Sequence, residues 1–428
     1  MNLNSGMLFA VPVPAECSMD GTEIEAAIED ALALAKQKDV SGKDITPFLL
    51  SYLAKATNGR SLESNIALVR NNAKVAAEIA IALSDLEREK SRPVGSSDVV
   101  VVGGSILDRC ARISDKHIEL DGRVHYGRIT ENAGGVARNM SEALNKLRSH
   151  RPVAFISAIG DDSSGSLVAQ SLGPHVEHLE RVRGSRTAQC MVVLDSDGEC
   201  KFLVGDMDVH ARITPEMVNA KADLIADSKL IVLDGNPSLD TMETILELAH
   251  KNDISVFFEP TDVPICHKPF QCRYRSSIKY ISPNLNELKC IAKSLNIPTS
   301  DKDVIYIAGR VAEYVSNIIV TMGSDGVLIV RRNSAKSKLH SEADQGPLQI
   351  RHYPASKVEN LINVSGAGDC FASGIIAAML EGMSEEICVS VGFESANKAL
   401  YTDKTVPDYF FNREDEAWTK PAYYKIIK

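Results

Sequence analysis

A run of small residues ends in an acid between Asn363 and Asp369, and an apolar stretch from Cys370 to Leu380 follows it. This order predicts a loop that leads into a helix. The residues with little or no side chain are Gly366, Ala367 and Gly368. Backbone N–H groups at such a helix N-terminus can bind an anion such as phosphate, and the helix dipole favours negative charge there. Asp369 in the first turn could accept a proton from an attacking hydroxyl, so the segment indicates phosphoryl transfer. The alternative is an ordinary glycine turn capped by an aspartate.

A second glycine pair, Gly134 and Gly135, lies far upstream and leads into another predicted helix, with Asn139 on its first turn. Three further segments lie between the two glycine motifs. They are Gly160-Asp161-Asp162 with Gly165, Asn284-Leu285-Asn286-Glu287, and Thr321-Met322-Gly323-Ser324-Asp325-Gly326. In this order, the five segments resemble the signatures of the ribokinase-like, or PfkB-type, carbohydrate kinases. The resemblance extends from about Asp98 to the C-terminus.

The resemblance implies that ATP is the phosphoryl donor and that Asp369 is the base. It also implies that Asp108 and Asn139 hold sugar hydroxyls, while Gly134 and Gly135 let the sugar approach the backbone. Without the resemblance, Asp108 would be read as part of a surface turn and Asn139 as a helix N-cap.

On the nucleotide side, the resemblance implies that Asn284 and Glu287 position Mg²⁺ and phosphate through water, since a carboxylate suits a hard cation. It implies that Thr321, Gly323 and Gly326 border the adenosine and phosphates, because missing side chains leave room for them. Without the resemblance, the segment from Asn284 to Glu287 would be read as a solvated helix start, and the segment from Thr321 to Gly326 as a hairpin turn.

One position departs from the family. The glycine motif often begins with an aspartate, where this chain has Asn363. The family's monovalent-cation site lies behind this loop, so the loss of one carboxylate leaves activation by K⁺ open. The predicted base, Asp369, is unaffected.

Two further resemblances concern the substrate. The segment Glu259-Pro260-Thr261-Asp262-Val263-Pro264 is similar to the pseudouridine kinase branch of the family. Three segments near the N-terminus resemble the C-terminal end of pseudouridine-5′-phosphate glycosidases. They are Gly6 to Pro14, Thr46 to Leu50, and Ser61 to Val69. A kinase that makes pseudouridine 5′-phosphate would then be joined to part of the enzyme that cleaves it to uracil and ribose 5-phosphate.

The glycosidase resemblance covers a third or less of such an enzyme, and it implies that the Schiff-base lysine lies in the missing part. Five lysines of this region lie in no segment that resembles the family's lysine motif. They are Lys36, Lys38, Lys43, Lys55 and Lys74. We therefore expect no competent glycosidase from this chain alone. The region is expected to be a helical appendage that packs on the kinase or mediates assembly.

The chain of 428 residues is longer than one compact domain usually needs. Apolar residues at helical spacing predict helices over residues 21–37, 46–55 and about 61–86. The charged stretch from Glu87 to Ser97 contains proline and glycine and predicts a linker. We divide the chain into a glycosidase-like segment, residues 1–92, and a kinase domain, residues 93–428.

Beyond the linker, short Val- and Ile-rich runs alternate with helix-length amphipathic segments, which is typical of a mostly parallel sheet covered by helices. The predicted strands are Val99–Val102, Val153–Ile156, Leu230–Leu233, Ser255–Phe258, Ile278–Ser282 and Ile318–Thr321. Alternating residues over 118–130 and 188–204, the latter with the turn Ser196-Asp197-Gly198, predict hairpins that form a small β lid. The expected fold is α/β, a ribokinase-like three-layer sandwich preceded by a helical fragment.

The net charge of −10 argues against non-specific nucleic-acid binding. Nine scattered cysteines indicate a reducing compartment, and the spacing of Cys266, His267 and Cys272 fits no zinc site. No apolar stretch spans a bilayer, so we expect a cytoplasmic protein, with an organelle left open. The expected partners are a nucleoside or sugar and ATP, with self-association into a homo-oligomer.

The sequence therefore predicts ATP-dependent phosphorylation of the 5′-hydroxyl of pseudouridine. Three alternatives stay open. They are a kinase for adenosine, ribose or a ketose, a scaffold that has lost turnover, and glycosidase activity recovered by assembly with a complete chain.

Overall fold

The computed structural model of the chain describes residues 8–19, 21–91, 97–149, 151–197, 199–332, 338–339, 346–356, 358 and 361–427. Contacts between Cα atoms divide the chain into two compact units, Met1–Val94 and Gly95–Lys428. The predicted boundary between residues 92 and 93 lies outside the described residues and stays a prediction. None of the described helices has both the length and the apolar character that crossing a bilayer requires.

The first unit is helical, as predicted. Its α-helices are α1 Gly21–Gln37, α2 Ile45–Ala56 and α3 Arg60–Ser91. The bounds predicted for α1 are confirmed. The linker predicted from Glu87 was wrong over its first part, because α3 continues to Ser91 through Glu, Arg and Lys residues with high helix propensity. Residues 92–96 of that linker lie outside the described residues.

The first unit has little apolar core of its own. Among its described residues, the buried apolar side chains are those of Ala31 and Ala35. Large apolar side chains on α3 are exposed instead, including Ile66 at 45% and Val69 at 60%.

The second unit is built on one large sheet. Its strands, with those of a smaller sheet, are β1 Val99–Val102, β2 Ile106–Ile113, β3 Gly127–Gly134, β4 Val153–Gly160, β5 Leu179–Val182, β6 Ala188–Leu194, β7 Cys200–Asp206, β8 Leu230–Asp234, β9 Ser255–Glu259, β10 Ile278–Ile281, β11 Asn317–Thr321, β12 Val327–Arg332, β13 Leu348–Tyr353 and β14 Lys425–Ile426. The large sheet has the order β14-β13-β12-β11-β10-β9-β8-β1-β4-β5. Its strands from β11 to β5 are parallel, and β12 to β14 are antiparallel.

Helices cover both faces of this sheet. They are α4 Val136–Leu147, α5 Ser163–Ser171, α6 Pro215–Asn219, α7 Ala222–Ala226, α8 Leu239–Lys251, α9 Leu285–Ser294, α10 Val304–Val311, α11 Ala367–Leu380 and α12 Glu385–Leu400. Alternate residues of a strand point to opposite faces, so Val100 joins a core with α8 to α10, and Val101 joins one with α4, α11 and α12. The predicted three-layer α/β sandwich is confirmed.

A second sheet of four strands, in the order β3-β2-β6-β7, forms the predicted small β lid. The hairpin predicted over residues 188–204 is confirmed as β6 and β7, although Gly198 of its turn lies outside the described residues. The hairpin predicted over residues 118–130 was wrong in its extent. β3 begins only at Gly127 and pairs antiparallel with the upstream strand β2, so that Ile113 lies opposite Gly127.

Candidate active site

The glycine loop leads into α11, as predicted. Gly366 has φ of +80°, and a Cβ there would lie 2.1 Å from the carbonyl oxygen of Thr405, so only glycine fits this turn. No described residue accepts a hydrogen bond from the backbone N–H of Gly368 or Asp369. A Cβ at Gly368 would meet no atom within 4 Å. The first turn of α11 therefore presents free donors to open space, which is the arrangement that binds an anion.

The carboxylate of Asp369 meets the amide of Asn139, which lies in the first turn of α4. Asn139 Nδ2 donates to Asp369 Oδ2 at 2.8 Å, and Asn139 is 4% exposed. Burial raises the pKa of Asp369 to about 7, against the opposing effect of the Asn139 hydrogen bond. The negative charges of Asp234, Glu287 and Asp108 also raise this pKa. A carboxylate with a pKa near neutrality suits a general base.

The residues predicted for the sugar side lie together. A Cβ at Gly134 would lie 2.0 Å from Asp108 Oδ2, so the missing side chain makes room for that carboxylate. Gly135 has φ of +97° and passes close to the backbone of Gly104. Burial raises the pKa of Asp108 to about 6, and the positive charge of Arg138 opposes this rise.

The residues predicted for the nucleotide side are joined by backbone pairing. Asn284 forms an isolated parallel bridge with Thr321, the last residue of β11. Asn284 also caps α9 reciprocally with Glu287, whose Oε2 accepts the Asn284 N–H at 2.8 Å. Glu287 is 5% exposed, so this helix start is buried rather than solvated, and burial raises the Glu287 pKa.

The segment from Thr321 to Gly326 connects β11 to the antiparallel β12, so it is a hairpin turn. Gly323 has φ of +59° and open space at its Cβ position. Gly326 has φ of +92°, and a Cβ there would lie 2.1 Å from the carbonyl oxygen of Tyr353. Packing therefore requires a glycine at 326, whereas Gly323 leaves room for a ligand.

Two acids of the site were missed by the sequence predictions. Asp234 ends β8, and its Oδ2 accepts the N–H groups of Gly104 at 2.9 Å and Ala137 at 3.2 Å. Glu259 ends β9, and its Oε2 is buried without a hydrogen-bond partner among the described residues. Burial and the charges of Asp369 and Glu287 raise the Glu259 pKa well above its ordinary value. Each of these acids follows a predicted buried apolar strand, and the carboxyl ends of parallel strands commonly carry binding residues. The sequence therefore contained a signal that could have identified both.

The acids at this edge fit a divalent cation. Glu259, Glu287 and Asp369 repel one another, and Glu259 has a free buried oxygen, so a bound cation would relieve the repulsion. Among the described residues, no three His, Cys, Asp or Glu side chains are close enough to hold a metal by themselves. This donor set suits Mg²⁺, which keeps water and substrate phosphates among its ligands.

Fold and site together define a small-molecule kinase of the ribokinase-like type. The sequence profile of the pfkB family carbohydrate kinases matches residues 96–405, and the chain belongs to this family. A second profile, for Indigoidine synthase A like proteins, matches residues 1–82.

Curated relatives extend these matches. A pseudouridine-metabolizing bifunctional protein of Schizosaccharomyces pombe is 25% identical over 94% of this chain, which spans 64% of that protein's length. A pseudouridine kinase of Arabidopsis thaliana is 26% identical, over 73% of this chain and 92% of its own. A pseudouridine-5′-phosphate glycosidase of Sorangium cellulosum is 54% identical over 81 residues, which are 19% of this chain and 26% of the glycosidase.

Among solved structures, Arabidopsis thaliana ribokinase in complex with ribose and ATP has a TM-score of 0.60 at 21% identity. The match covers 73% of this chain and 96% of the ribokinase. This likeness establishes the fold of the second unit.

Proposed function

We propose that this chain transfers the γ-phosphoryl group of ATP to the 5′-hydroxyl of pseudouridine. The observation that carries the proposal is the Asn139–Asp369 pair beside the free amides of α11, which joins a near-neutral base to an anion site. The choice of pseudouridine is supported by the relatives in Schizosaccharomyces pombe and Arabidopsis thaliana.

In the proposed reaction, Asp369 accepts the proton of the attacking hydroxyl. The backbone amides of Gly366 and Gly368 stabilise the charge that develops on the transferred group, whereas the N–H of Ala367 already donates to the carbonyl of Val364 at 3.4 Å. Asp108 and Asn139 hold the ribose hydroxyls and keep the 5′-oxygen in line with the phosphate. The β lid excludes water from the bound nucleoside.

On the nucleotide side, Thr321 and Gly323 would border the adenosine and phosphates of ATP, with Gly326 shaping their turn. Asn284 holds the start of α9 so that Glu287 faces the phosphates. Mg²⁺ held at this site would offset the negative charge of the ATP phosphates. We assign Glu287 to its site and add Glu259, because the Glu259 carboxylate has a free buried oxygen.

We expect little dependence on K⁺. Asn363 Oδ1 accepts the N–H of Ser365 at 3.0 Å, and its Nδ2 is directed to the carbonyl of Asp403 at 3.5 Å. The amide oxygen is therefore engaged within the loop, where a carboxylate would leave further lone pairs for a cation.

The test is release of ADP with pseudouridine, uridine, adenosine and ribose as acceptors, with Asp369→Asn as the control for contaminating kinases. Turnover of pseudouridine at a higher kcat/KM than the other three supports the proposal. A preference for adenosine or ribose would change the assigned substrate but leave the proposed phosphoryl-transfer reaction intact. The absence of turnover with all acceptors would favour a binding role.

We propose no glycosidase turnover for residues 1–92 by themselves. A Schiff-base lysine is activated by removal from water. Five lysines of this unit are exposed. They are Lys36, Lys38, Lys43, Lys55 and Lys74. Uracil release from pseudouridine 5′-phosphate, measured with this chain alone, would contradict the proposal.

We retain two further expectations as proposals. Self-association into a homo-oligomer is testable by light scattering, and residence in the cytoplasm is testable by microscopy of a tagged chain. The expected ligands are a nucleoside and ATP rather than nucleic acid, as the net charge of −10 supports.

A further inference from the structure

Arg138 lies between the sugar side of the site and the glycine loop, and it is 3% exposed. One of its nitrogens has three acceptors. The acceptors of Nη1 are Asn139 Oδ1 at 3.0 Å, the carbonyl of Ala133 at 3.2 Å and Thr405 Oγ1 at 3.4 Å. The other nitrogen, Nη2, donates to Ser171 Oγ at 2.9 Å and pairs with Glu142. The guanidinium is therefore fixed on both sides.

This arrangement decides which end of the Asn139 amide faces Asp369. A guanidinium has donors and no acceptor, so Nη1 can bond only the amide oxygen of Asn139. The amide nitrogen is then left to donate to Asp369 Oδ2, as the 2.8 Å contact shows. The reversed amide would face Arg138 with a donor and Asp369 with an acceptor, and both contacts would be lost.

The same guanidinium reaches the segment behind the glycine loop. Thr405 Oγ1 accepts from Arg138 and donates to the carbonyl of Ala133 at 2.9 Å. The carbonyl of Thr405 packs against the Cα of Gly366, since a Cβ there would lie 2.1 Å from it. Arg138 and Thr405 thus connect the end of β3, at Ala133, with the backbone that supports the anion site.

We propose that Arg138 is a positioning residue for phosphoryl transfer, which orients the Asn139 amide toward Asp369 and, through Thr405, holds the glycine loop against the sugar side. This inference rests on the kinase function proposed above. Arg138 contacts neither the transferred group nor the base, so its effect is exerted through Asn139 and Thr405.

Three variants separate these effects. Arg138→Gln offers both a donor and an acceptor, so it no longer selects the Asn139 oxygen. Thr405→Val removes one hydroxyl and keeps the shape of the side chain. Ser171→Ala is the matched control, because it removes a partner of Arg138 on the side away from Asn139.

We expect Arg138→Gln to lower kcat by about 100-fold, the usual effect of a misplaced catalytic group. It should also move the acidic limb of the pH–rate profile to higher pH, since Asp369 loses a donor that stabilises its charged form. Thr405→Val should lower kcat by about 10-fold without moving that limb, and Ser171→Ala should change neither. The acids that face Asp369 are the same in all three variants. They are Asp108, Asp234, Glu259 and Glu287. Arg138→Gln also removes the positive charge that lowers the pKa of Asp108, which moves the acidic limb in the same direction.

Wild-type kcat and an unmoved acidic limb in both Arg138→Gln and Thr405→Val would overturn the inference. If Arg138→Gln does not fold, Arg138→Met, which offers Asn139 no donor, replaces it, and wild-type values for both quantities count against the inference. If the unmodified chain has no kinase turnover, the proposed function fails instead. The orientation of Asn139, which stands on its hydrogen bonds to Arg138 and Asp369, is then tested by NMR of ¹³C-labelled aspartate in the same variants, where equal Asp369 pKa values would reject it.

Discussion

Asn139 and Asp369 are 230 positions apart in the chain, yet the amide of one donates to the carboxylate of the other at 2.8 Å. The contact joins the first turn of α4 to the first turn of α11. Each helix begins at a glycine with positive φ, Gly135 and Gly366. The two glycine motifs therefore form the two halves of one site, with the predicted base at their junction.

Replacement of Asp369 should reduce turnover without disrupting the fold. We expect Asp369→Asn to lower kcat by about 10² or more, the usual range for loss of a general base. The oxygen of the introduced amide can still accept from Asn139, so nucleoside affinity should change little. Single-turnover kinetics and equilibrium binding check the two quantities, and near-normal turnover would refute the role of Asp369.

The same variant should be more stable than the wild type at alkaline pH. The folded-state pKa of Asp369 is about 7, above its ordinary value of 3.8, so ionisation at higher pH costs folding free energy. Removal of the charge should raise the free energy of unfolding at pH 8 by ~1–4 kcal/mol, and by nothing below pH 3.8. Denaturant unfolding at pH 8 and pH 5 measures this gain, which should be smaller at pH 5. An equal gain at both values would contradict the assigned pKa.

The pH dependence of turnover follows from the same group. Below pH 7, Asp369 binds a proton and cannot act as a base, so kcat/KM should fall about tenfold per pH unit. Below pH 6, protonation of Asp108, whose pKa is about 6, should steepen the fall. A rate profile from pH 5 to pH 9 with pseudouridine checks both protonation effects. A flat profile between pH 6 and pH 8 would exclude Asp369 as the titrating base.

Substitution by alanine should have different effects at two glycines of the loop that precedes α11. Gly366→Ala forces a Cβ into the carbonyl of Thr405 at positive φ, so it should destabilise the fold by at least about 1 kcal/mol. Gly368→Ala meets open space and should leave Tm unchanged or raised, because alanine favours a helix. It should nevertheless lower kcat/KM for ATP by about tenfold or more, since the methyl group stands over the anion site. Calorimetry and ATP titration distinguish the pair, and equal effects of the two substitutions would count against this site.

The Mg²⁺ dependence of turnover tests the role of Glu259 in the metal site. Glu259→Gln removes a carboxylate whose Oε2 is buried without a partner, so we expect a higher half-saturating Mg²⁺ concentration, by about tenfold. Stability without metal should not fall, because the repulsion with Glu287 and Asp369 is relieved. Glu247→Gln, on the exposed pair with Lys251, is the control. An unchanged Mg²⁺ requirement would remove Glu259 from the metal site.

The sequence by itself determined the local elements and their chemistry. The runs at Val99–Val102 and Leu230–Leu233 are apolar on both faces, which is typical of a covered parallel sheet, and the glycines before Asp369 predict a helix start that lacks side chains. Such features depend on neighbours in the chain, so periodicity and turn chemistry reveal them.

Tertiary structure alone decided which of these elements meet. The side chains that shift the pKa of Asp369 come from β2, α4, β8 and α9, and no local pattern encodes the pairing of Asn139 with an acid 230 positions away. The roles of Asp234 and Glu259 arise only because parallel strands bring their carboxyl ends to one edge. The long connection before β3 was misjudged for the same reason, since strand pairing depends on the partner β2 rather than on the segment itself. Burial and opposing charges, which set the pKa values of the site, are properties of the assembled fold.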